Sequence, residues 1–356
     1  MEKKTVAVIF GSVSSEYEVS LRSATSVLQN IPRDRYDVVM LGITKDGRWY
    51  EYTGDVSLIQ PDKWLESGHV VPAILSPDRA AGGITRFTPR GPENVKIDAA
   101  FPVLHGEHGE DGTIQGLFEM AGIPYVGCGV LASAACMDKD ISHILLESAG
   151  IRTNPWVTLT RADCARFGEI EPALAEKLAY PMFVKPANTG SSVGVSKARD
   201  AAALREALEC AFRYDRKVLV EKTAVGAEVE CAVLGNYGDA SASVVGEIVP
   251  HHEFYDYEGK YLDDSTDLYI PARIPQEVSE KIRETAVKAF AVMGCTGLAR
   301  IDFFAEADGG VILNELNTIP GFTSISMYPK LFAASGIPYP ELIHRLIQLA
   351  IAKKNC

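Results

Sequence analysis

The sequence has no apolar run that approaches the roughly 18 residues needed to span a lipid bilayer. Its first residues, Met-Glu-Lys-Lys-Thr, lead directly into a short apolar segment. That segment lacks the longer core and the small-residue cleavage site of a signal peptide. We therefore expect a cytoplasmic protein that does not interact with a membrane.

Cysteine pairs and runs of basic residues are also missing. The seven cysteines are scattered singly, with no Cys-x-x-Cys pair and no Cys/His cluster, so neither a zinc site nor a redox dithiol is indicated. The formal net charge is −12, which argues against nucleic acid as a partner. Nucleotides are still compatible with this charge, because metal ions can screen phosphates locally.

Internal repeats and low-complexity segments are absent as well, and the length of 356 residues predicts two or three domains. Residues 5–10 are typical of a buried strand, and a loop of small residues follows at 11–15. Apolar residues at helical spacing up to Ile31 predict a helix, and residues 36–43 predict the next strand. This order is the start of an open α/β sheet.

Two short segments near the C-terminus carry the most specific chemical pattern. Residues 298–304 and 311–317 alternate like strands, and Asp308-Gly309 between them is typical of a two-residue hairpin turn. In the register of that turn, Asp302 faces Glu315, and Arg300 faces Asn317.

Opposed carboxylates on a largely apolar hairpin repel each other, and a hard cation between them removes the conflict. Carboxylate and amide oxygens are ligands that Mg²⁺ accepts, usually together with phosphate oxygens. Arg300 on the same face would meet phosphate charge. The pattern therefore predicts a magnesium–phosphate site, and the alternative is a solvated face with a fortuitous pair of charges.

A second candidate site is the loop that follows Lys185. Its sequence at 185–194, Lys-Pro-x-x-x-Gly-Ser-Ser-x-Gly, exposes backbone N–H groups that can hold phosphates. It is not a P-loop, because the Gly-Lys-Ser/Thr ending is missing. Other residues that fit a nucleotide pocket are Lys139, Glu221, Lys222 and Glu228. Taken alone, these features also fit a flexible connection, a solvated lysine and an ordinary strand exit.

The start of the first helix offers a third candidate site. Glu16 and Glu18 lie there, where the helix dipole favours carboxylates and where an amino acid could also bind. His105 follows a strand end that can reach the same crevice of the sheet. Considered singly, these residues are more simply helix-start acids and a structural histidine.

Together and in order, these segments resemble the D-alanine–D-alanine ligase family of the ATP-grasp superfamily, from residue 6 to residue 347. The N-terminal motifs are Glu-Tyr-Glu-Val-Ser-Leu at 16–21, Leu-His-Gly at 104–106, Gly-Glu-Asp-Gly at 109–112 and Met-Asp-Lys at 137–139. The C-terminal motifs are the loop at 184–194, Glu-Phe-Tyr-Asp-Tyr at 253–257, Lys-Tyr at 260–261, Arg-Ile-Asp at 300–302 and the run from Asn314 to Thr323. One departure is Ser12, where the family commonly has glycine; a negative φ there would require only a local adjustment.

The resemblance implies a role for each matching position. The residues implied to hold ATP are Lys139, Lys185, Glu221, Lys222, Ala224 and Glu228. The residues implied to hold two Mg²⁺ (or Mn²⁺) are Asp302, Glu315 and Asn317. The residues implied for catalysis are Glu16, Ser191 and Tyr261 around the acceptor amine, and Arg300 and Gly321 around the tetrahedral intermediate. The residues implied to bind the two amino acids are His105, Lys260, Ser326 and Met327, with the phosphates as the alternative partner of Lys260.

The implied fold is α/β, with an N-terminal open parallel-sheet domain at 1–127 and a two-subdomain, α+β ATP-grasp at 128–219 and 220–356. The implied reaction joins two D-alanines with ATP through D-alanyl phosphate, for peptidoglycan precursors, and the implied assembly is a homodimer. Because an acyl phosphate hydrolyses in water, a lid is required. Residues 251–268 and 188–194 are the lid candidates.

Three alternatives stay open at this point. Related ligases of vancomycin resistance make D-Ala–D-Ser or D-Ala–D-lactate, whereas Tyr261 and Met327 favour D-alanine as acceptor. Another ATP-grasp enzyme, such as a carboxylase, is disfavoured by Lys260 and by the lack of a biotin-type partner domain. A non-catalytic nucleotide-binding module should have lost one of the three predicted metal ligands, and all three are present.

Overall fold

A computed structural model describes residues 3–250, 266–323 and 325–353 of the chain. Within those ranges the chain forms three β-sheets with helices packed against them. No helix in the described ranges has both the length and the apolar content needed to cross a bilayer. Lys260, Tyr261 and most of the predicted lid at 251–268 lie outside the described residues.

The first sheet has a parallel centre, as predicted, and an antiparallel extension that was not predicted. Its strands are β1 (Lys4–Gly11), β2 (Tyr36–Ile43), β3 (Trp49–Tyr52), β4 (Val70–Leu75), β5 (Gly83–Thr88), β6 (Gly91–Lys96) and β7 (Ala99–Val103). Strand β1 lies between β2 and β7, parallel to both. Strands β3 to β6 are antiparallel because a tight turn, closed by the Thr44 N–H donating to the Arg48 carbonyl at 2.8 Å, makes the β2–β3 connection a hairpin.

Helix α1 (Tyr17–Asn30) packs on this sheet through the apolar face that the sequence predicted. Leu21, Ala24 and Leu28 recur at helical spacing and are buried. Glu16 precedes the helix, but its side chain makes no capping hydrogen bond, so the carboxylate is available to other partners. The next helices are α2 (Thr113–Ala121), α3 (Val130–Met137) and α4 (Lys139–Ser148).

The second sheet is antiparallel, in the order β10-β9-β11-β8. Its strands are β8 (Trp156–Thr160), β9 (Met182–Pro186), β10 (Ser196–Ala198) and β11 (Lys217–Lys222). Its helices are α5 (Arg161–Cys164), α6 (Phe167–Leu178) and α7 (Ala201–Ala211). The predicted boundary between residues 219 and 220 falls inside β11, so a division that keeps this sheet whole comes after that strand.

The third sheet is also antiparallel, in the order β14-β13-β12-β15-β16. Its strands are β12 (Ala227–Gly235), β13 (Ser241–Pro250), β14 (Thr266–Tyr269), β15 (Gly297–Ala305) and β16 (Val311–Asn317). The last helices are α8 (Gln276–Val292), α9 (Met327–Ala334) and α10 (Tyr339–Lys353). Residues 266–268, predicted to belong to a lid, therefore lie in a strand that pairs with β13.

Helix α10 connects the C-terminal end of the chain with the first sheet. Leu342 and Ile343 share a hydrophobic core with Val6 and Phe10 of β1, and all four side chains are fully buried. Burying an aliphatic or aromatic side chain of this size stabilises the fold by about 1.5–3 kcal/mol each. This core fixes the position of the first sheet relative to the C-terminal helices.

Candidate active site

One cavity of about 1160 Å³ lies between the three sheets, and every predicted site residue in the described part of the chain lines it. The predicted site residues that the first sheet and its loops contribute to the lining are Glu16 and His105. Those from α4 and from the second sheet with its loops are Lys139, Lys185, Ser191, Glu221, Lys222 and Ala224. Those from the third sheet and the segment after it are Glu228, Arg300, Asp302, Glu315, Asn317, Gly321, Ser326 and Met327.

The predicted carboxylate pair forms part of the cavity wall. Asp302 on β15 lies directly opposite Glu315 on β16, and Arg300 lies opposite Asn317, as the sequence predicted. Arg300 donates to both oxygens of Asp302 at 2.8 Å, and the Asn317 amide donates to one of them at 3.0 Å. The arginine fork and the amide therefore satisfy Asp302 in this structure.

The predicted pairing of Asp302 with Glu315 is confirmed, but the predicted two-residue turn at Asp308-Gly309 is wrong. The Glu306 N–H donates to the Gly310 carbonyl at 2.9 Å, so the loop contains three residues, with Gly309 at φ 84°. That loop alone shifts the ladder by one position. A β-bulge next to Asp302 inserts Asn314 as an extra residue and restores the pairing of Asp302 with Glu315.

The groups of Asp302, Glu315 and Asn317 that could bind a metal ion are all oxygen donors. Among the described residues, no group of three His, Cys, Asp or Glu side chains is arranged as a metal centre. The set formed by Asp302, Glu315 and Asn317 has two carboxylates and one amide, so substrate oxygens must complete any coordination shell. That donor chemistry fits Mg²⁺, which usually keeps several waters or phosphate oxygens as ligands.

Two lysines enter the cavity from the second sheet and from helix α4. Lys185 at the end of β9 pairs with Glu221 at 2.7 Å and donates to the Asn314 side chain at 3.4 Å. Burial disfavours its charge, but Glu221 and then Glu315 outweigh burial and raise the pKa of Lys185. Lys139 donates to the Thr189 carbonyl at 2.7 Å, which brings the second ammonium to the small-residue loop.

The predicted nucleoside residues follow one another around the end of β11. Glu221 is buried, and the Lys222 N–H donates to the Pro155 carbonyl at 2.9 Å, which fixes the strand end. Ala224 lies in the connection to β12, and Glu228 lies in β12 itself. The four residues therefore surround one end of the cavity.

Two loops cover the Glu16 carboxylate, one at Gly106 and the other at Gly190 and Ser191. The Ser191 hydroxyl donates a hydrogen bond to Oε1, and the residue is only 5% exposed. Gly190 packs against the other oxygen so closely that a Cβ there would lie 2.6 Å from Oε2. Ser191 and Ser192 have φ of 47° and 58°, in the left-handed region, so this loop has a tight local conformation.

His105 supports the segment that carries Gly321. Its Nδ1 donates to the Ile319 carbonyl at 3.0 Å, so Nε2 accepts from the Ser23 hydroxyl at 3.0 Å. The same hydroxyl accepts the Phe322 N–H at 3.3 Å. Burial lowers the pKa of His105, in agreement with a neutral ring that has one donor and one acceptor.

Glu110 is a site residue to which the sequence assigned no role, although it lies in a quoted motif. Its carboxyl accepts the Gly106 N–H at 2.9 Å and the Ile319 N–H at 3.1 Å. Burial, and then the charge of Glu16, raise the pKa of Glu110 to about 8. Glu110 therefore keeps its proton to a higher pH than an ordinary carboxyl does.

Ser326 and Met327 form the start of α9 at the other end of the cavity. The Thr323 N–H donates to the Ser326 hydroxyl at 3.0 Å, and a Cβ on Gly321 would lie 2.8 Å from that hydroxyl. Met327 is buried, and its Cε contacts β13 at Gly246, where a Cβ would collide with it. This end of the cavity therefore combines a hydroxyl with an apolar wall.

Glu230 is a second site residue to which the sequence assigned no role. It lies on β12 directly opposite Asp302, is 3% exposed, and has Oε2 at 3.1 Å from Arg300 Nε. Its signal in the sequence is the alternation with Glu228, which puts both carboxylates on one face of a strand. The importance of that face depends on the pairing of β12 with β15, which the local sequence does not reveal.

Comparisons with known proteins cover nearly the whole chain. The family model for the D-ala D-ala ligase N-terminus matches residues 5–128, and the model for the D-ala D-ala ligase C-terminus matches residues 145–348. A D-alanine–D-alanine ligase of Acetivibrio thermocellus is 53% identical over 370 residues, which cover 99% of this chain and 97% of that protein.

Two solved structures agree with these matches. The VanG D-Ala:D-Ser ligase from Enterococcus faecalis has a TM-score of 0.89 and 42% identity, and covers 98% of this chain and 100% of its own. The D-alanine–D-alanine ligase from Bacillus anthracis complexed with ATP has a TM-score of 0.73 and 29% identity, and covers 99% of each chain.

Proposed function

The chain belongs to the D-alanine–D-alanine ligase family, and we propose that it joins two D-alanines with ATP, through D-alanyl phosphate. One observation carries the proposal. Asp302 and Glu315 lie opposite each other in the wall of the same cavity that contains Lys139, Lys185 and Glu16. Such a cavity combines groups for phosphates, for a hard cation and for an ammonium, which are the groups that this ligation requires.

The first step phosphorylates the donor carboxylate. A carboxylate oxygen of the first D-alanine attacks the γ-phosphorus of ATP, the new P–O bond forms, and the bond to the leaving ADP breaks. Lys139 and Lys185 hold phosphate oxygens, and Glu16 holds the donor ammonium. When ATP binds, Glu221 gives up its contact with Lys185 and contacts the nucleoside instead. Lys222, Ala224 and Glu228 contact the nucleoside as well.

The second step forms the peptide bond. The amine of the second D-alanine attacks the carbonyl carbon of the acyl phosphate, and the C–O bond to phosphate breaks. Arg300 and the Gly321 N–H stabilise the oxyanion that develops. The acceptor ammonium must first lose a proton, and we assign its removal to the hydrogen-bonded pair of Ser191 and Glu16.

The acceptor binds at the start of α9. Ser326 and Met327 form its pocket wall. Lys260 and Tyr261, which the family resemblance also assigns to the acceptor, lie outside the described residues. His105 acts through the backbone of 319–322, because protein groups already use both of its ring nitrogens.

Two Mg²⁺ or Mn²⁺ ions fit the oxygen donors of Asp302, Glu315 and Asn317. When bound, such ions neutralise phosphate charge during phosphoryl transfer. Arg300 and Asn317 now donate to the oxygens of Asp302, so metal binding requires this carboxylate to exchange partners. We therefore expect the protein to bind Mg²⁺ more tightly as a nucleotide complex than as the free ion.

The direct test is release of ADP and phosphate with D-alanine, D-serine and D-lactate offered as acceptors. We expect ATP turnover that depends on D-alanine and yields D-alanyl-D-alanine. ATP turnover without a dipeptide, or no turnover with any of the three acceptors, contradicts the proposal.

D-Serine is the second candidate acceptor, because the VanG D-Ala:D-Ser ligase is 42% identical to this chain. The apolar wall at Met327 favours D-alanine over D-serine in this pocket. Competition between D-alanine and D-serine separates the two acceptors.

Three further features complete the proposal. The enzyme acts in the cytoplasm, where ATP is made and where the free cysteines of the described chain stay reduced. Two copies associate as a homodimer, which light scattering of the purified protein tests. The chain divides into units at 1–127, 128–219 and 220–356, with the last boundary better drawn after β11.

A further inference from the structure

Glu230 lies in a row of acidic residues that runs across three strands. On β12 it pairs with Asp302 of β15, which in turn pairs with Glu315 of β16. Directly paired residues of adjacent strands point to the same face of a sheet. Glu230 therefore faces the active-site cavity beside the predicted metal ligands, and it lines that cavity.

Arg300 lies between the carboxylates of Glu230 and Asp302. Its Nε is 3.1 Å from Glu230 Oε2 and 2.8 Å from Asp302 Oδ1. The side chains of Arg300 and Glu230 are only 17% and 5% exposed, so water compensates little of either charge. A guanidinium this buried is costly to leave without a carboxylate partner.

The carboxylates of Glu230 and Asp302, which both contact Arg300, have different neighbours. Asp302 and Glu315 are the oxygen donors that a divalent cation would use, whereas Glu230 is on the opposite side of Asp302 from Glu315. When the oxygens of Asp302 turn to a cation, they are no longer oriented for the arginine fork. Glu230 is then the carboxylate that still contacts Arg300.

We infer that Glu230 is a positioning residue, which keeps the Arg300 guanidinium directed at the reacting carbonyl while Asp302 binds the metal. The inference rests on the proposed function, because it uses the roles given there to Arg300 and Asp302. It explains why a third carboxylate is buried in a wall that already contains two. Glu230 acts through Arg300 and does not bind the nucleotide or the ion.

The test compares Glu230→Gln, which removes the charge and keeps the shape, with Glu230→Asp and with Glu284→Gln on the exposed face of α8. We expect Glu230→Gln to lower kcat by about 10- to 100-fold, the usual effect of removing a group that orients a reacting residue. The KM for ATP and the calorimetric affinity for ADP with Mg²⁺ should stay within about twofold of wild type. Glu230→Asp should recover part of kcat, and Glu284→Gln should match wild type.

A double mutant separates positioning from a general structural effect. If Glu230 acts through Arg300, adding Glu230→Gln to Arg300→Lys lowers kcat no further. Dipeptide formation by wild type, measured first, tests the proposed function independently of this inference. Two results overturn the inference: a kcat for Glu230→Gln within about twofold of wild type, or a loss of Mg²⁺·ADP affinity as large as the loss of kcat.

Discussion

Glu315 shows at the scale of one residue how the carboxylate wall is expected to work. Replacing it with Gln keeps the size and removes the charge, so phosphoryl transfer should fall by at least about 100-fold, as when a group that stabilises transition-state charge is lost. The fold should persist, because the change also removes the repulsion between Glu315 and Asp302. ADP release and thermal unfolding measure the two effects. Near-normal turnover would exclude the metal role, and an insoluble variant would indicate a structural one.

Ser12 has a backbone conformation that differs from the one its sequence predicts. Its φ is 104°, not the negative value that a serine prefers, because its N–H must reach the Ile43 carbonyl at 3.1 Å. The preceding Gly11 has no room for a side chain, since a Cβ there would collide with the same carbonyl. The sequence shows the serine but not this φ, which the approach of β2 imposes.

We expect Ser12→Gly to stabilise the protein. Holding a non-glycine residue in the left-handed region costs about 1–2 kcal/mol, and the extra entropy that glycine loses on folding offsets about 0.5–1 kcal/mol of this. The free energy of unfolding should therefore rise by about 0.5–1 kcal/mol, as measured by urea titration. Ser57→Gly, at an exposed position of the short 3₁₀ helix Val56–Leu58, is the control and should lower stability. A less stable Ser12→Gly variant would show that the serine side chain contributes more than its backbone strain costs.

The hairpin of β15 and β16 shows what sequence reasoning can predict about an element. Alternating residues revealed both strands and the face that carries Arg300, Asp302, Glu315 and Asn317. Two local features were not visible, namely the three-residue loop and the bulge at Asn314. Their effects on the strand register cancel, because the loop shifts the pairing by one residue and the bulge shifts it back. The bulge also brings the Asn314 side chain to Lys185. Bulge positions depend on contacts outside the hairpin, which a single sequence does not show.

The loop at 188–194 is the element for which we predict a change in dynamics. Its backbone hydrogen bonds from Val193 to Gly190 and from Val195 to Ser192 join residues that are close in the sequence. Its residues are mostly half-buried. Side-chain hydrogen bonds of Ser191, Lys139 and Asp215 connect it with the rest of the protein. Such a loop has low local stability. Its amides should exchange hydrogen quickly in the free protein and slowly with ATP and a phosphinate analogue.

Hydrogen exchange followed by mass spectrometry checks this prediction. The amides of β9, inside the second sheet, are the control and should be protected in both states. Full protection of 188–194 in the free protein would contradict the assignment of this loop as a lid. Residues 251–265 of the other lid candidate, 251–268, lie outside the described residues and are tested in the same experiment.

The choice of acceptor is a property of the whole cavity. The buried side chain of Met327 offers no strong donor or acceptor to a serine hydroxyl, so burying that hydroxyl without a partner would cost about 1–3 kcal/mol. A methyl group is favoured there by about 0.8 kcal/mol for each buried carbon. We therefore expect kcat/KM for D-alanine to exceed that for D-serine by about tenfold or more.

Competition between D-alanine and D-serine at equal concentration, with the dipeptides resolved by mass, measures this preference. D-Lactate should be a poor acceptor in the same assay. A mixture dominated by D-Ala–D-Ser would show that the Met327 wall does not set the choice, and would favour the second candidate function.

At the scale of the whole molecule, the sequence identified residues far apart in the chain that the fold brings into one cavity. Their chemistry was recognisable because lysines, carboxylates and glycines occurred in ordered motifs. Glu230 and Glu110 were not assigned roles because their significance comes from neighbours across sheets and loops. Spatial pairing of that kind requires the structure.

The acyl phosphate is the central claim, and transfer of an isotope tests it most directly. D-Alanine labelled with ¹⁸O in its carboxylate is incubated with ATP and Mg²⁺, and the released phosphate is analysed by mass spectrometry. Because the carboxylate oxygen attacks phosphorus and later leaves with it, we predict one ¹⁸O atom in the phosphate for every dipeptide formed. Dipeptide formation with unlabelled phosphate would contradict this mechanism.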